Sequence, residues 1–226
     1  MNSNGWSAAC DIGAVTRMRK NGCVTDALFE IDAAGHPCFE RIVTDGTNRV
    51  EWLRARARGI TATDVAKLST PKSIETAAYV KLNGTGFGGN AFTDHGRARE
   101  PEIAAWVRER FEIEPSAALF RAASNPRHLA TPDGLVVRAD GTLELSEIKT
   151  TNKAWAQIPK NYLRQIWWQQ YVLGADRTLL VWEQHKDFVP LSEPEFRWIE
   201  RDDGEIKRLV SLANQLIDRL VEITNR

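Results

Sequence analysis

Apolar side chains recur every second residue through the middle of the chain and at helical spacing on either side of it. Residues 1–20 are polar and aperiodic and read as an arm. Alternating runs at Val24–Ile31 and Pro37–Val43 flank Asp32-Ala33-Ala34-Gly35 and predict a hairpin. Thr44–Asn48 then offers caps for a helix carrying Val50, Trp52 and Leu53, which Gly59 stops. A short helix follows with Thr61 or Thr63 as its cap, and a third runs from Thr70-Pro71 to about Leu82. The glycine-rich Asn83–Asn90 follows a helix rather than a strand, so it reads as a loop and not as a phosphate cradle. Thr93 to Phe111 is helical, with a break or kink expected at Pro101.

Strand patterns occupy Ala118–Arg121, Gly134–Arg138 and Thr142–Lys149, the last two joined by Ala139-Asp140-Gly141. A helix from Asn161 to Leu173 ends at Gly174, and Thr178–Trp182 and Phe196–Ile199 return to strand. Asp203 is expected to cap an amphipathic helix carrying Ile206, Leu209, Leu216 and Leu220. The succession predicts a mixed α/β (α+β) domain, a mixed sheet flanked by helices.

Chemistry concentrates on two of those strands. Glu147 and Lys149 must share a face of their strand, together with Leu143 and Leu145, because side chains alternate. Asp133, in Thr131-Pro132-Asp133-Gly134, begins the neighbouring strand and can meet them at the sheet edge. Two carboxylates and a lysine suit a hard cation that activates water and polarises a phosphoryl oxygen. Glu100 stands ahead of an amphipathic helix as a third carboxylate. Gln165 and Gln169, four residues apart on the following helix, share one face and can orient the lysine or a water. Alone, Pro132-Asp133-Gly134 also fits a common turn, Glu147-x-Lys149 a solvated surface pair, Glu100 a solvated helix charge and the glutamines exposed helix positions.

Charge and composition narrow the partners. Thirty basic and thirty acidic residues among 226 leave no net charge, so any nucleic acid must be held by a local patch. Residues 49–67 supply one, with five basic and two acidic side chains, and Arg97 and Arg99 lie beside Glu100. Trp167-Trp168 reads as packing rather than a base-stacking platform. Cys10, Cys23 and Cys38 lack a CxxC pair, so buried or free thiols are expected in preference to a zinc site with His36. No Walker loop is present, which argues against ATP-driven work. No apolar run is long enough to cross a bilayer, and the first residues lack a signal-peptide pattern, so a cytoplasmic protein is expected.

In order, W-x-x-x-R…I-T-A-T, G-x-x-x-E-P, [S/T]-P-D-G, E-x-K and Q-x-x-x-Q span about residues 50–185. This succession resembles the lambda-exonuclease-like (YqaJ-type viral recombinase) branch of the PD-(D/E)xK nucleases. The resemblance implies a restriction-endonuclease-like core over residues 46–226, with residues 1–45 an unassigned arm and hairpin. It implies a Mg²⁺-dependent exonuclease, Mn²⁺ substituting, with two ions per site. Such an enzyme degrades linear double-stranded DNA 5′ to 3′, releases 5′-mononucleotides and leaves a 3′ strand for phage-type recombination. A homotrimeric ring and a single-strand annealing protein are the implied partners, in the host cytoplasm.

By the same resemblance Asp133, Glu147, the Ile148 backbone carbonyl and Glu100 correspond to metal ligands. Lys149 corresponds to the catalytic lysine and Gln165 to the first glutamine of the helix motif. Arg56, Thr63 and Thr131 fall where the terminal 5′-phosphate binds. Trp167 replaces the family's second glutamine, and threonine replaces the commoner serine at 63 and 131. The alternatives are an endonuclease of the same fold or a DNA-end-binding protein on a nuclease fold. A nuclease of the CRISPR-adaptation type fits poorly, since no cysteine follows Cys38.

Overall fold

The computed structural model describes residues 35–84 and 89–225. The expected strand at 24–31, Cys10, Cys23 and residues 85–88 of the glycine-rich loop lie outside them. The expected partner strand at 37–43 is instead a 3-10 turn, Phe39–Arg41, leading into a short strand β1, Ile42–Thr44. Next come α1 (Arg49–Ala57), β2 (Ile60–Thr61), α2 (Ala62–Val65), α3 (Pro71–Asn83) and α4 (Ala91–Phe111). The central strands are β3 (Glu114–Pro115), β4 (Leu119–Arg121), β5 (His128–Ala130), β6 (Gly134–Val137) and β7 (Leu143–Thr151). The chain then forms α5 (Lys160–Leu173), β8 (Arg177–Lys186), β9 (Val189–Pro190), β10 (Glu195–Glu200) and α6 (Asp203–Thr224).

These strands make two sheets. The larger has the order β10-β8-β7-β6-β3, with β9 turned back on β8. It is antiparallel except where β7 runs parallel to β8, the two joined by the crossover helix α5. The smaller has the order β1-β4-β5-β2, with β2 and β5 parallel. β1 pairs with β4, and Cys38 is buried in the main core, so residues 38–44 pack against the sheets that follow them.

The alternation along β7 sorts its side chains. Leu143 and Leu145 join Phe120, Leu135, Trp168 and Leu209 in the core beneath α5 and α6. Ile148 faces the other way, into the cluster beneath α4 with Ile103, Val107 and Val181. Trp168 is fully buried and its indole N–H donates to Leu129 O at 3.0 Å, while Trp167 is only half-buried.

Local signals explain the helix ends. The Asn48 carboxamide accepts from the N–H groups of Val50 and Glu51, and Thr61 and Asp64 form a reciprocal capping box. Gly84 and Gly174 close α3 and α5 in the left-handed conformation. Asp202, not Asp203, caps α6: its carboxylate accepts from Glu205 N at 2.9 Å. α4 runs through Pro101 without a break. The proline is exposed, so the Arg97 carbonyl deprived of its helical donor can be hydrated.

Candidate active site

The two sheets are joined by the short link Thr131-Pro132-Asp133, between the end of β5 and the start of β6. That link delivers Asp133 to the edge of the large sheet. Gly134 makes the delivery possible: a Cβ there would meet Ser146 Oγ at 2.5 Å and Glu114 O at 2.9 Å. The glycine is a strand residue squeezed between β3 and β7 rather than part of a turn. Beside it, Asp133 Oδ2 accepts from Ile148 N at 2.6 Å, and Asp133 N donates to Ser146 O at 3.1 Å. The carboxylate replaces the next partner that β6, which pairs with β7 only as far as Ser146, would otherwise offer. A strand residue directs its N–H and C=O to the same edge, so the Ile148 carbonyl faces that opening too.

Glu147 is buried at 4% exposure, and its two oxygens are divided between two partners. Oε1 accepts from the Lys149 ammonium, and Oε2 accepts from Gln169 Nε2 at 2.7 Å. The same Gln169 nitrogen donates to Thr131 O at 3.3 Å, so α5 fastens β7 to the inter-sheet link. Burial, then the charge of Glu147, pushes the Asp133 carboxyl well above the usual carboxylate range. Burial alone would lower the Lys149 ammonium, but Glu147 and Asp133 outweigh it and hold the lysine above its ordinary value. Glu100 is also raised, by burial first and opposed by Lys149.

A cavity of about 630 Å³ opens over this edge. Arg56, Thr63, Glu100, Thr131, Asp133, Glu147, Lys149 and Gln165 all line it, as does Gln169. Every predicted side chain therefore reaches one space, and Ile148 stands between the lining residues Glu147 and Lys149 on β7. α1 contributes Arg56, α4 Glu100 and α5 the glutamines, while Thr63 and Thr131 follow the parallel strands β2 and β5. The Arg49 and Arg56 guanidiniums lie 4.2 and 4.4 Å from the Trp52 ring centroid, which holds both forks in the cavity wall. Burial lowers the pKa of Arg56, although an arginine remains charged.

Among the glutamines, Gln169 bonds Glu147 and Gln165 lines the cavity. One expectation changes. Arg99 faces away from any phosphate: its guanidinium forks onto the buried Glu183 at 2.9 and 2.7 Å and also meets Glu102. Of the basic side chains proposed for a patch, Arg49, Arg56 and Arg97 line the cavity. Trp52, read in the sequence as an apolar helix position and the first residue of W-x-x-x-R, also carries the two guanidiniums; its i, i+3 spacing from Arg49 and i, i+4 spacing to Arg56 was the available signal.

The donors suit a hard divalent cation. They are oxygens throughout, and the side-chain oxygens Thr131 Oγ1, Gln165 Oε1 and Gln169 Oε1 are buried without a protein partner. Asp133, raised by burial first and then by Glu147, is a carboxylate whose charged form a bound cation would favour. Among the described residues no three Asp, Glu, His or Cys side chains already converge on one point. A cation here would thus rest on Asp133, Glu147 and the Ile148 carbonyl, with Glu100 across the cavity. Gln169→Leu should lower activity about tenfold by freeing Glu147, while Gln165→Leu costs less. Equal losses in steady-state assays would remove the distinction.

The large-sheet fold matches the crystal structure of LHK-Exo in complex with dAMP, with a TM-score of 0.61 and 24% identity over 76% of this chain and 93% of the other. The alkaline exonuclease LHK-Exo from Laribacter hongkongensis gives 0.59 and 23%, with the same coverage. A phage-related exonuclease from Haemophilus somnus 129PT gives 0.52 and 14%, over 74% of this chain and 96% of that one. These likenesses establish the nuclease fold. No curated protein sequence matches. No helix among the described residues is long and apolar enough to cross a membrane. A profile of the YqaJ-like viral recombinase domain covers residues 51–176, which take in more than half the chain and all four carboxylate and lysine positions of the cavity. The chain belongs to the YqaJ-like viral recombinase domain family.

Proposed function

We propose that the protein is a Mg²⁺-dependent 5′-to-3′ exonuclease acting on the ends of linear double-stranded DNA. The observation that carries this reading is the sharing of one cavity by Asp133, Glu147 and Lys149 with the Arg56 fork. The fold of the alkaline exonucleases supports it. Divalent cations held by Asp133, Glu147 and the Ile148 carbonyl, with Glu100 aiding a second ion, would polarise the scissile phosphoryl group and acidify a water.

The remaining chemistry belongs to the chain. Lys149 is held as an ammonium by Glu147 and Asp133, which equips it to offset charge on the phosphoryl oxygens and to orient a water. Gln169 keeps Glu147 from turning away. Arg56 presents a planar fork to a terminal phosphate monoester, with the hydroxyls of Thr63 and Thr131 in the same cavity. A 5′-phosphate anchored there leaves the following diester over the carboxylates, so cleavage releases 5′-mononucleotides and leaves a 3′ strand. A strand of that kind is the substrate of an annealing protein, which makes phage-type recombination in a host cytoplasm the fitting context. A neutral chain has little general hold on DNA. A homotrimeric ring would retain the duplex topologically, and light scattering near three times 25.4 kDa is its expected signature.

The test is digestion of a linear duplex labelled at one 5′ end, beside a closed circular plasmid. Release of labelled mononucleotide with the circle intact is expected. Cutting of the circle would favour an endonuclease, and binding without cutting an end-binding protein. Arg56→Ala should slow digestion of 5′-phosphorylated ends by about ten- to a hundredfold, the worth of a charged hydrogen bond, and spare 5′-hydroxyl ends. Equal slowing of both would reduce Arg56 to general backbone attraction.

A further inference from the structure

A second groove adjoins the catalytic cavity across Lys149. Its volume is about 560 Å³, and Thr150, Lys153, Trp155, Tyr162, Phe92 and His185 contribute to its walls. Thr150 is the neighbour of Lys149 on β7, and the Lys149 ammonium lies 5.5 Å from the centroid of the Tyr162 ring. The Tyr162 ring lies 5.2 Å from Trp155, which stacks on Trp182 at 5.3 Å with 29° between planes. Aromatic rings thus continue outward from the catalytic lysine as a ladder. Trp155 and Tyr162 are half-buried, so each keeps surface open to the groove while its back is packed.

The rest of the lining is amides, hydroxyls and one cation. Asn152, Gln157 and Asn161 stand beside Lys153, and no carboxylate lines the groove among the described residues. Half-exposed rings, neutral hydrogen-bonding groups and a lysine without a lining acid are the equipment for unpaired bases on a phosphate backbone. A duplex offers no base faces to such rings, because its bases are stacked on one another. An acidic peptide would find only a single cation.

We propose that this groove binds a single-stranded stretch of the DNA strand whose 5′ end lies in the catalytic cavity. Bases stack on Trp155 and Tyr162, and Lys153 meets the backbone. The inference rests on the nuclease reading for the strand's direction, and it adds that the strand is unpaired on both sides of Lys149. Trp155 and Tyr162 would then hold the strand next to be cut away from its complement.

The experiment uses the full chain in the presence of EDTA, so that nothing is cleaved. The probe is a 5′-phosphorylated strand of about twelve nucleotides, within the span such grooves accommodate, carrying 2-aminopurine near its 5′ end. Stacking should quench the 2-aminopurine on the wild-type protein. Trp155→Ala should lose most of the quench and bind about tenfold more weakly by anisotropy. Lys153→Glu, on an exposed loop position with no part in the core, should weaken binding and reduce the salt dependence by about one phosphate contact. It carries the test if Trp155→Ala does not fold. Absence of wild-type quenching, or equal affinity in the wild type and both variants, would overturn the groove assignment. Wild-type digestion of linear duplex in Mg²⁺ is measured separately. Digestion without quenching sinks the groove and leaves the nuclease. Quenching without digestion leaves a strand-binding groove and sinks the nuclease reading.

Discussion

Lys149→Met is expected to reduce digestion of linear duplex DNA by roughly a thousandfold, the upper end of the range for losing one positioned electrostatic donor. Methionine keeps the length and apolar stem of the side chain, so packing against Tyr162 is retained while the charge is lost. Glu147→Gln should cost as much for a different reason. The amide is isosteric, but it cannot supply an anionic ligand, and it offers Lys149 a weaker partner than the present carboxylate. Glu147 is almost wholly buried between Lys149 and Gln169, so a replacement cannot be rescued by a solvent-facing neighbour. Circular dichroism should show both variants folded, which confines the loss to the site. Near-normal turnover of Glu147→Gln in Mg²⁺ would remove the sheet edge from the chemistry.

That edge was legible because strand periodicity is a strict rule. Leu143, Leu145, Glu147 and Lys149 at every second position forced the carboxylate and the ammonium onto the core-facing side of β7, where an unpartnered charge is costly. Helix ends were equally readable, since Asn48, Thr61, Gly84 and Gly174 act through neighbours only a few residues away. What escaped depends on contacts distant in sequence. Arg99 looked available for phosphate until Glu183, 84 residues later, was found to occupy its fork. β2 and β5 are two and three residues long, too short for any alternation to register, and pair only with each other and β4. Gln165 and Gln169 share a helix face, and only the resemblance singles out Gln165. Which of them reaches Glu147 is decided by how α5 docks on β5, through Trp168 to Leu129 and Gln169 to Thr131. Gly134 carried a turn signature, yet its reason is the close approach of β3 and β7.

Asp133→Asn is expected to abolish digestion while making the metal-free protein more stable at neutral pH. Folding raises the Asp133 pKa, chiefly through burial and then through Glu147. The folded state therefore binds a proton that the unfolded chain releases, and stability falls as pH rises from the ordinary carboxylate range towards the raised folded value. An amide at this position is neutral at every pH and removes that loss. It can still accept from Ile148 N, so the link between the sheets is kept. A divalent cation acts in the opposite sense on the wild type, because it favours the carboxylate and binds only the folded site. Its stabilisation grows with concentration, to about 2.7 kcal/mol at a hundred times the dissociation constant. Thermal melts between pH 5 and pH 8, with EDTA and with Mg²⁺, should thus separate two curves for the wild type and a single one for Asp133→Asn. A Mg²⁺-induced rise in melting temperature that survives in Asp133→Asn would place the cation elsewhere. A wild type whose metal-free stability does not decline over this pH range would show that folding does not raise the Asp133 pKa.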